Sequence, residues 1–456
     1  MSCFYLNKNN VAYAYRKMNN DTVCNLFNSF TNTLCDLSVE CVDTFSFSIG
    51  NVPMPCLEVD MEFIFTVKEG GVSLIARDYP SLMRGYFALL TKIEWDLKRK
   101  CLCIEEKTVF GKYKTENRMI HLCVFPENSL FQIKRLIRLC AALQFTHVVL
   151  EFWGMLKFDT LCALSWENAF SKDEVRELLK EANELGLEMI PMFNSLGHAS
   201  QSRSISGKHT VLDNDPSLFY LFTPDGWAWD LENEDVWALL KKIRLELYEL
   251  FEGCKYFHCG FDESHIHTKD EHLSKRLPEF MQRLTNEISG EGKIPIIWID
   301  MLLPQEAYVG FPPNAHSVKS SEECLKILSS LNKNTVLVDW EYSAVKSPIS
   351  TLTYYMDTGF KIMGAPWLLV ENGYAHIDTI EENKLFGLMQ TTWHTLYKDI
   401  DKLMPIASYF GASLFPWIDK CPSSTATATL LRKLSFEKKI YDDCGFSKNQ
   451  ITNSIC

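Results

Sequence analysis

From about residue 118 onward, short apolar runs alternate with segments in which apolar residues recur every three or four positions. The apolar runs have the length and the β-branched content of buried strands, and the longer segments have the period of amphipathic helices. Several of these helices are predicted to end beside a glycine, such as Gly186, Gly253 or Gly290. The eight predicted strands cover residues 119–125, 146–152, 187–193, 256–260, 294–299, 335–340, 361–365 and 387–392.

Eight strand–helix units in roughly 300 residues have the count and length of a (β/α)8 barrel. The strands are continuous apolar runs, as expected for parallel strands that are covered on both faces. The alternative is an open doubly wound sheet, but no glycine-rich phosphate loop follows the first strand, which disfavours its dinucleotide-binding form. We therefore predict an α/β fold with a TIM barrel over residues 116–417.

Two further regions flank the predicted barrel. Alternating segments at 61–67 and 72–76, followed by a helical stretch at 79–92, predict a small α+β domain within residues 1–115. Residues 418–456 predict a helical or irregular tail. The organisation expected from the pattern is thus a small domain, a barrel and a tail.

Composition narrows the choice of partner and compartment. The net charge of −12 argues against nucleic acid and against an anionic membrane surface. The chain has no apolar run of the roughly 20 residues that a membrane-spanning helix needs, and its first ten residues lack the pattern of a signal peptide. The 16 cysteines are scattered and show no paired zinc-finger spacing, so they are interpreted as reduced thiols. We expect a cytoplasmic protein without a cofactor or a metal.

The strongest chemical signal lies in residues 260–265, Gly-Phe-Asp-Glu-Ser-His, which follow an aromatic predicted strand. Two adjacent carboxyl groups, Asp262 and Glu263, stand where this strand gives way to a loop. Like charges in a partly buried place raise one of the two pKa values, and a carboxyl group that keeps its proton near neutral pH can act as a general acid. An Asp-Glu pair without such a context is more often an ordinary solvated dipeptide. At a strand end it predicts acid–base catalysis.

Tryptophans collect at the carboxyl ends of the predicted strands, where barrel enzymes keep their active sites. Five of the eight ends carry one, although the chain has only 11. A single tryptophan there is most simply a core or rim residue. Five at the same end favour a ring that stacks on sugar faces. These residues are Trp153, Trp298, Trp340, Trp367 and Trp393.

The barrel and these motifs together resemble glycoside hydrolase family 20, the β-N-acetylhexosaminidases, over residues 60–415. The end of the second predicted strand, residues 150–152, resembles the intracellular hexosaminidase D branch more than the lysosomal one. No single motif is decisive, and the resemblance depends on their order and spacing. The matching positions are His258 through Glu263, Gly197-His198, Trp298-Ile299-Asp300, Ala365-Pro366-Trp367, and Arg118 at the start of the first strand.

The resemblance implies a retaining mechanism in which the 2-acetamido oxygen of the substrate attacks the anomeric carbon. Asp262 is then expected to orient the acetamido N–H, Glu263 to act as general acid and base, and His198 to support Glu263. Arg118 is expected to hydrogen-bond sugar hydroxyls, and the tryptophans to wall the acetamido pocket. The predicted substrate-binding residues are Arg118, Glu151, Trp298, Asp300, Trp340, Tyr342, Trp367 and Trp393.

The chain also departs from the family pattern. Asn194 opens the third-strand motif where many members have aspartate, and Leu368 replaces the tyrosine that holds the acetamido oxygen, for which Tyr342 is a possible substitute. The eighth strand ends Trp393-His394-Thr395, without the glutamate that grips O4 and O6. Trp227 and Trp229 follow the third strand and fit either an aglycone rim or loop packing. These changes concern sugar specificity more than reaction type, so GlcNAc, GalNAc and modified sugars all remain as substrates.

Two other functions fit parts of the sequence. His258, Asp262, His265 and His267 cluster closely, and His-x-His is a metal-ligand spacing, which allows a metal-dependent TIM-barrel hydrolase. A non-catalytic carbohydrate-binding protein on this scaffold is the second alternative. It is disfavoured because a binder has no need of two adjacent carboxyl groups. The function that we expect is an exo-acting retaining β-N-acetylhexosaminidase that acts on N-acetylhexosamine-containing glycans.

Overall fold

The structure is a computed structural model, and it describes residues 3–6, 60–68, 71–92, 94–96, 98, 101–200, 211–308, 318–367, 369–393, 403 and 405–411. The predicted tail, Leu368 and the His394-Thr395 departure lie outside these residues. The boundaries predicted for the three regions stay a prediction.

A closed barrel of eight parallel strands forms the centre of the molecule, which confirms the predicted fold class. Each strand pairs with the next along the chain, and the last pairs with the first in register from Gly387 opposite Asn117 to Thr391 opposite His121. The barrel strands are β7 (Asn117–Val124), β8 (His147–Phe152), β9 (Glu188–Met192), β10 (Tyr256–His258), β11 (Ile294–Trp298), β12 (Val336–Asp339), β13 (Lys361–Gly364) and β14 (Gly387–Thr391).

Apolar side chains on alternate positions of these strands fill the barrel interior, so it is a packed core. Met119, Val149, Ile190, Ile296 and Val338 belong to one such buried cluster. The intervening positions pack outward into the larger core beneath the helices. Both faces of each strand are therefore apolar, which explains why the strands are continuous apolar runs in the sequence.

Helices surround the barrel and begin at well-defined caps. Ser129 and Ser171 each form a capping box at the start of a helix. Among the described residues, no helix is long and apolar enough to cross a membrane. The helices are α1 (Tyr79–Thr91), α2 (Leu130–Ala142), α3 (Lys172–Glu184), α4 (Val211–Asn214), α5 (Glu234–Leu250), α6 (His265–Lys269), α7 (Glu271–Gly290), α8 (Ser321–Ser330), α9 (Ser350–Tyr354) and α10 (Val370–Asn383).

Two small antiparallel sheets precede the barrel. One has the order β1 (Cys3–Leu6), β5 (Cys101–Glu105), β4 (Glu94–Asp96), and the other has the order β3 (Gly71–Ala76), β2 (Met61–Lys68), β6 (Thr108–Lys112). Helix α1 packs on β2 and β3. A buried ion-pair network joins this layer to the base of the barrel, because Glu62 accepts from both Arg84 and Arg118.

Candidate active site

The carboxyl groups of Asp262 and Glu263 lie at the carboxyl end of the barrel, in the loop between β10 and α6. His198, in the loop after β9, stands between them. Its Nε2 lies 3.4 Å from an Asp262 oxygen and 3.1 Å from a Glu263 oxygen. Asp262 and His198 are almost fully buried, whereas the Glu263 side chain is 34% exposed. One imidazole therefore contacts both carboxyl groups, and Glu263 alone of the three presents a sizeable surface to a ligand.

The backbone that carries these groups is held in an unusual conformation. Three non-glycine residues of the site, His198, Phe261 and Glu263, have positive φ values of 55°, 82° and 47°. Side chains rarely adopt this left-handed region, and such strain is concentrated at functional sites. Gly197 permits the arrangement, since a Cβ there would lie 2.2 Å from the Asp262 carbonyl oxygen. The two loops thus approach each other as closely as a glycine allows.

Asp300, just past β11, braces the site from below. One of its carboxylate oxygens accepts the backbone N–H of Glu263 at 3.0 Å, and the other accepts Trp340 Nε1–H at 3.1 Å. Burial raises the pKa of Asp300 well above its ordinary value, and the nearby charges of Asp262 and Glu263 raise it further. Three neighbouring carboxyl groups therefore need not all be charged near neutral pH. Through these two hydrogen bonds, Asp300 links the Glu263 backbone to Trp340, which forms part of the pocket wall.

Trp227 closes the other side of the carboxyl pair. Its indole N–H donates to the Glu263 carbonyl oxygen at 2.7 Å, and its ring lies 4.5 Å from the His198 ring, measured between centroids. Trp229, two residues on, is fully buried and donates to the Asn194 carbonyl oxygen at 3.0 Å. Of the two interpretations from sequence, loop packing describes Trp229. Trp227 instead holds the backbone of the site.

Aromatic side chains from four strand ends form one connected wall beside the carboxyl pair. Tyr342 links its two halves: its ring lies 5.2 Å from Trp340 and 5.3 Å from Trp367, and its hydroxyl accepts from Trp393 Nε1 at 2.7 Å. Trp393 in turn lies 5.7 Å from Trp298, which is fully buried behind the half-buried rings. The structure thus brings together four of the five predicted tryptophans, while Trp153 packs on Phe125.

Beneath this wall lies a polar network that sequence reasoning missed. His121 Nε2 lies 3.0 Å from Glu151 Oε2, and Asn194 donates to the other oxygen of Glu151. The His121 ring contacts Trp393 at 4.9 Å and Trp298 at 5.8 Å. Glu151 is completely buried, so we assign it to supporting His121 and not to direct sugar contact. Only the alternation of His121 with Met119 along β7 signals that it faces the interior.

Comparison with known proteins agrees with this geometry. Residues 150–366, which contain the carboxyl pair, His198 and most of the aromatic wall, match the catalytic domain of glycosyl hydrolase family 20. This part of the chain belongs to glycoside hydrolase family 20. Assignment to the hexosaminidase D branch stays a prediction.

Solved structures of family 20 proteins share the fold. The exo-β-N-acetylglucosaminidase of Vibrio harveyi, in complex with N-acetylglucosamine, superposes with a TM-score of 0.67 at 13% identity, covering 95% of this chain and 75% of that one. The β-N-acetylhexosaminidase of Streptomyces coelicolor A3(2) superposes with a TM-score of 0.68, also at 13% identity, covering 95% and 94%. At these identities the likeness concerns the fold.

Two curated relatives are similar in sequence. Lacto-N-biosidase of Bifidobacterium bifidum is 24% identical over 386 residues, which cover 79% of this chain and 30% of that protein. The chitooligosaccharidolytic β-N-acetylglucosaminidase of Bombyx mori is 25% identical over 103 residues, which cover 23% of this chain and 17% of that protein. The matched residues therefore cover less than a third of the length of either relative.

The expectation that Arg118 binds sugar hydroxyls is corrected by the structure. Arg118 lies at the amino end of β7, opposite the carboxyl pair, and its side chain is fully buried. Its guanidinium donates to the carbonyl oxygens of Gln144, Thr115 and Glu116 and pairs with Glu62 at 2.8 Å. Arg118 therefore ties the small sheets to the barrel base and is remote from the active site.

The four residues proposed from sequence as metal ligands do not come together. His267 lies buried with its Nδ1 2.7 Å from Ser264 Oγ, and His265 packs against Trp227. Burial lowers the pKa of His267 to about 4, so it stays neutral. Within the part of the chain that the structure describes, the one His/Cys/acid group with metal-like spacing lies elsewhere, at His121, Cys123 and Glu151.

Proposed function

We propose that this protein is an exo-acting retaining β-N-acetylhexosaminidase that removes terminal β-linked GlcNAc or GalNAc from glycans or glycoconjugates. The proposal rests on one observation: His198 Nε2 lies 3.4 Å from a carboxylate oxygen of Asp262 and 3.1 Å from a carboxylate oxygen of Glu263. This arrangement gives two adjacent carboxyl groups different surroundings, since Asp262 is buried and Glu263 is accessible. Different surroundings are what two carboxyl groups need in order to take different roles.

The reaction proceeds through the acetamido group of the substrate. Glu263 donates its proton to the leaving glycosidic oxygen while the acetamido oxygen attacks the anomeric carbon, which gives a cyclic oxazolinium intermediate. Asp262 accepts a hydrogen bond from the acetamido N–H and stabilises its developing positive charge. Glu263, now a carboxylate, takes a proton from a water molecule as that water attacks the anomeric carbon and opens the oxazolinium ring. Two displacements at the anomeric carbon retain the β configuration.

Tyr342 supplies the hydrogen bond to the acetamido oxygen that Leu368 cannot make. Its hydroxyl oxygen accepts from Trp393 Nε1, and the hydroxyl also hydrogen-bonds with the Thr391 side chain, so in this proposal the hydroxyl proton turns to the acetamido oxygen when substrate binds. Burial raises the pKa of Tyr342 well above its ordinary value, so the hydroxyl keeps that proton at neutral pH. The flanking rings of Trp340 and Trp367 are the pocket walls for the acetamido methyl and the sugar face.

A disaccharide-releasing activity is the second candidate. It is favoured by the match to a relative named lacto-N-biosidase, which covers 79% of this chain, and by the eighth-strand sequence, which lacks the glutamate that the resemblance assigns to O4 and O6. Without a side chain that binds O4 and O6, the pocket loses one contact that would select an unsubstituted terminal sugar over a sugar that carries a further residue.

The test is release of nitrophenol from β-linked GlcNAc, GalNAc, glucose and lacto-N-biose nitrophenyl glycosides. Turnover of the N-acetyl monosaccharides but not of glucose supports the proposal and ranks the two sugars. Turnover of the lacto-N-bioside alone supports the second candidate. Binding of GlcNAc without turnover of any substrate would contradict both and favour a carbohydrate-binding protein.

Glu263→Gln is the decisive variant, because it keeps the shape of the side chain and removes the acid. We expect kcat to fall by at least about 10² to 10⁴-fold with KM little changed. Glu279→Gln, on the exposed face of α7, is the matched control, since the Glu279 side chain is 64% exposed and pairs with Arg276 on the same helix. A Glu263→Gln enzyme of full rate would show that the role assignment is wrong.

A further inference from the structure

A cluster of three chemically reactive side chains lies inside the barrel, beneath the aromatic wall. His121 and Cys123 are two residues apart on β7 and therefore face the same side of the strand, and Glu151 on β8 is the register partner of Cys123. All three are completely buried. The proposed reaction uses none of them.

The distances within this cluster match a metal site. His121 Nε2 lies 3.0 Å from Glu151 Oε2, Cys123 Sγ lies 3.6 Å from His121 Nε2, and Cys123 Sγ lies 3.3 Å from Glu151 Oε2. Zinc binds such atoms at about 2.0 to 2.3 Å, which for tetrahedral angles places the ligand atoms roughly 3.3 to 3.7 Å apart. Small shifts of side chains would therefore admit an ion at the centre of the triangle.

The charges of the cluster also fit a divalent ion. A thiolate and a carboxylate carry two negative charges, and a neutral imidazole adds none, so a bound Zn²⁺ makes the buried group neutral overall. The thiol proton of Cys123 leaves for solvent when the ion binds. Asn194 already donates to the second oxygen of Glu151, which is the outer hydrogen bond that orients a carboxylate ligand.

We propose that His121, Cys123 and Glu151 bind one zinc ion. Three protein ligands leave a fourth position, as in zinc sites that also hold water. Because the His121 ring contacts Trp393 and Trp298, the ion fixes the position of these rings at the floor of the pocket. The site is separate from the carboxyl pair, so its role is structural. This inference does not depend on the proposed hydrolase activity.

The experiment uses the full-length protein, stripped with a chelator and titrated with Co²⁺, a spectroscopic substitute for Zn²⁺. Thiolate ligation gives a charge-transfer band in the near ultraviolet, and Zn²⁺ added afterwards should abolish it by displacement. We expect about one ion per chain, counted by elemental analysis after gel filtration. The readout is optical and analytical, so it is valid whether or not the protein turns over any glycoside.

Cys123→Ala should lose the band and the bound ion. Cys140→Ala is the matched control, because Cys140 is equally buried but lies on α2, and it should behave as wild type. This control is needed since the chain has 16 cysteines. Glu151→Gln, which keeps the shape of the side chain, should weaken the affinity at least about 10-fold and serves as the second variant if Cys123→Ala does not fold.

Three results would overturn the proposal. A wild-type protein that takes up no ion shows that the cluster is only a hydrogen-bonded group. A band that persists in Cys123→Ala shows that another cysteine binds the cobalt. Glu151→Gln with wild-type affinity removes the carboxylate from the ligand set.

Discussion

Replacement of Gly197 by alanine would test whether the close approach of two loops sets the geometry of the acid. The new Cβ would lie 2.2 Å from the Asp262 carbonyl oxygen and 3.1 Å from both Glu263 C and Ser264 N. All three are backbone atoms, so no side-chain rotation relieves the contact. Ordinary contact begins near 3.4 Å, and the Asp262–Glu263 backbone must therefore move by roughly 1 Å, a displacement that costs about 10²-fold in rate.

The assay is kcat/KM on the best nitrophenyl glycoside, together with the melting temperature. Overpacking of this kind costs about 1 to 3 kcal/mol of stability, which most domains of this size tolerate. Gly290→Ala is the control, because a Cβ at the end of α7 meets nothing within 4 Å. A folded Gly197→Ala enzyme whose kcat/KM is within about twofold of wild type would refute the reasoning, since a backbone shift of this size should misplace the Glu263 carboxyl group.

Three further predictions concern single side chains. Tyr342→Phe removes the donor to the acetamido oxygen and should lower kcat about 10² to 10³-fold, measured by steady-state kinetics. An unchanged kcat would show that Tyr342 is not that donor. Burial, with Glu341 adding repulsion, raises the pKa of Asp339 to about 7 from 3.8. Because the folded state holds that proton more tightly, the stability that protonated Asp339 contributes is fully present below pH 3.8 and is lost as the pH rises to about 7, by at most about 1.4 kcal/mol per pH unit. Urea unfolding of Asp339→Asn should show no such loss. Wild-type and Asp339→Asn free energies of unfolding that vary with pH in parallel would contradict the prediction. Arg118→Met should destabilise the protein by about 3 kcal/mol, because it leaves Glu62 buried with one partner fewer, yet should leave KM unchanged; a raised KM without loss of stability would restore Arg118 to the sugar site.

Much of the fold was predictable because the barrel strands are apolar on both faces. All eight predicted strands are present, and their ends differ from the observed ones by at most two residues, as for the run 256–260 and the strand Tyr256–His258. A short run is enough to identify a strand that is buried on both sides. The predicted cytoplasmic location depends on a different kind of signal and stays a prediction, which fractionation of cells would test.

The site was predictable where its residues adjoin a strand end. Asp262 and Glu263 lie four and five residues past the end of β10, in the loop that opens onto the barrel mouth, so their position there is set by the chain itself. Arg118 was misplaced because it stands at the start of its strand, and a residue there lies at the opposite end of the barrel. The Trp227 contact and the pairing of His121 with Glu151 depend on loop packing and strand register, neither of which local sequence patterns determine.

The most direct test of the account is the dependence of kcat on the nucleophilicity of the acetamido group. Nitrophenyl β-GlcNAc substrates with an acetyl, monofluoroacetyl, difluoroacetyl or trifluoroacetyl group differ little in size but differ strongly in the electron density on the carbonyl oxygen. If that oxygen attacks the anomeric carbon with help from Asp262, kcat should fall steeply with each added fluorine. A rate that is independent of fluorination, or turnover of the β-glucoside at the same rate, would contradict substrate-assisted catalysis by this site.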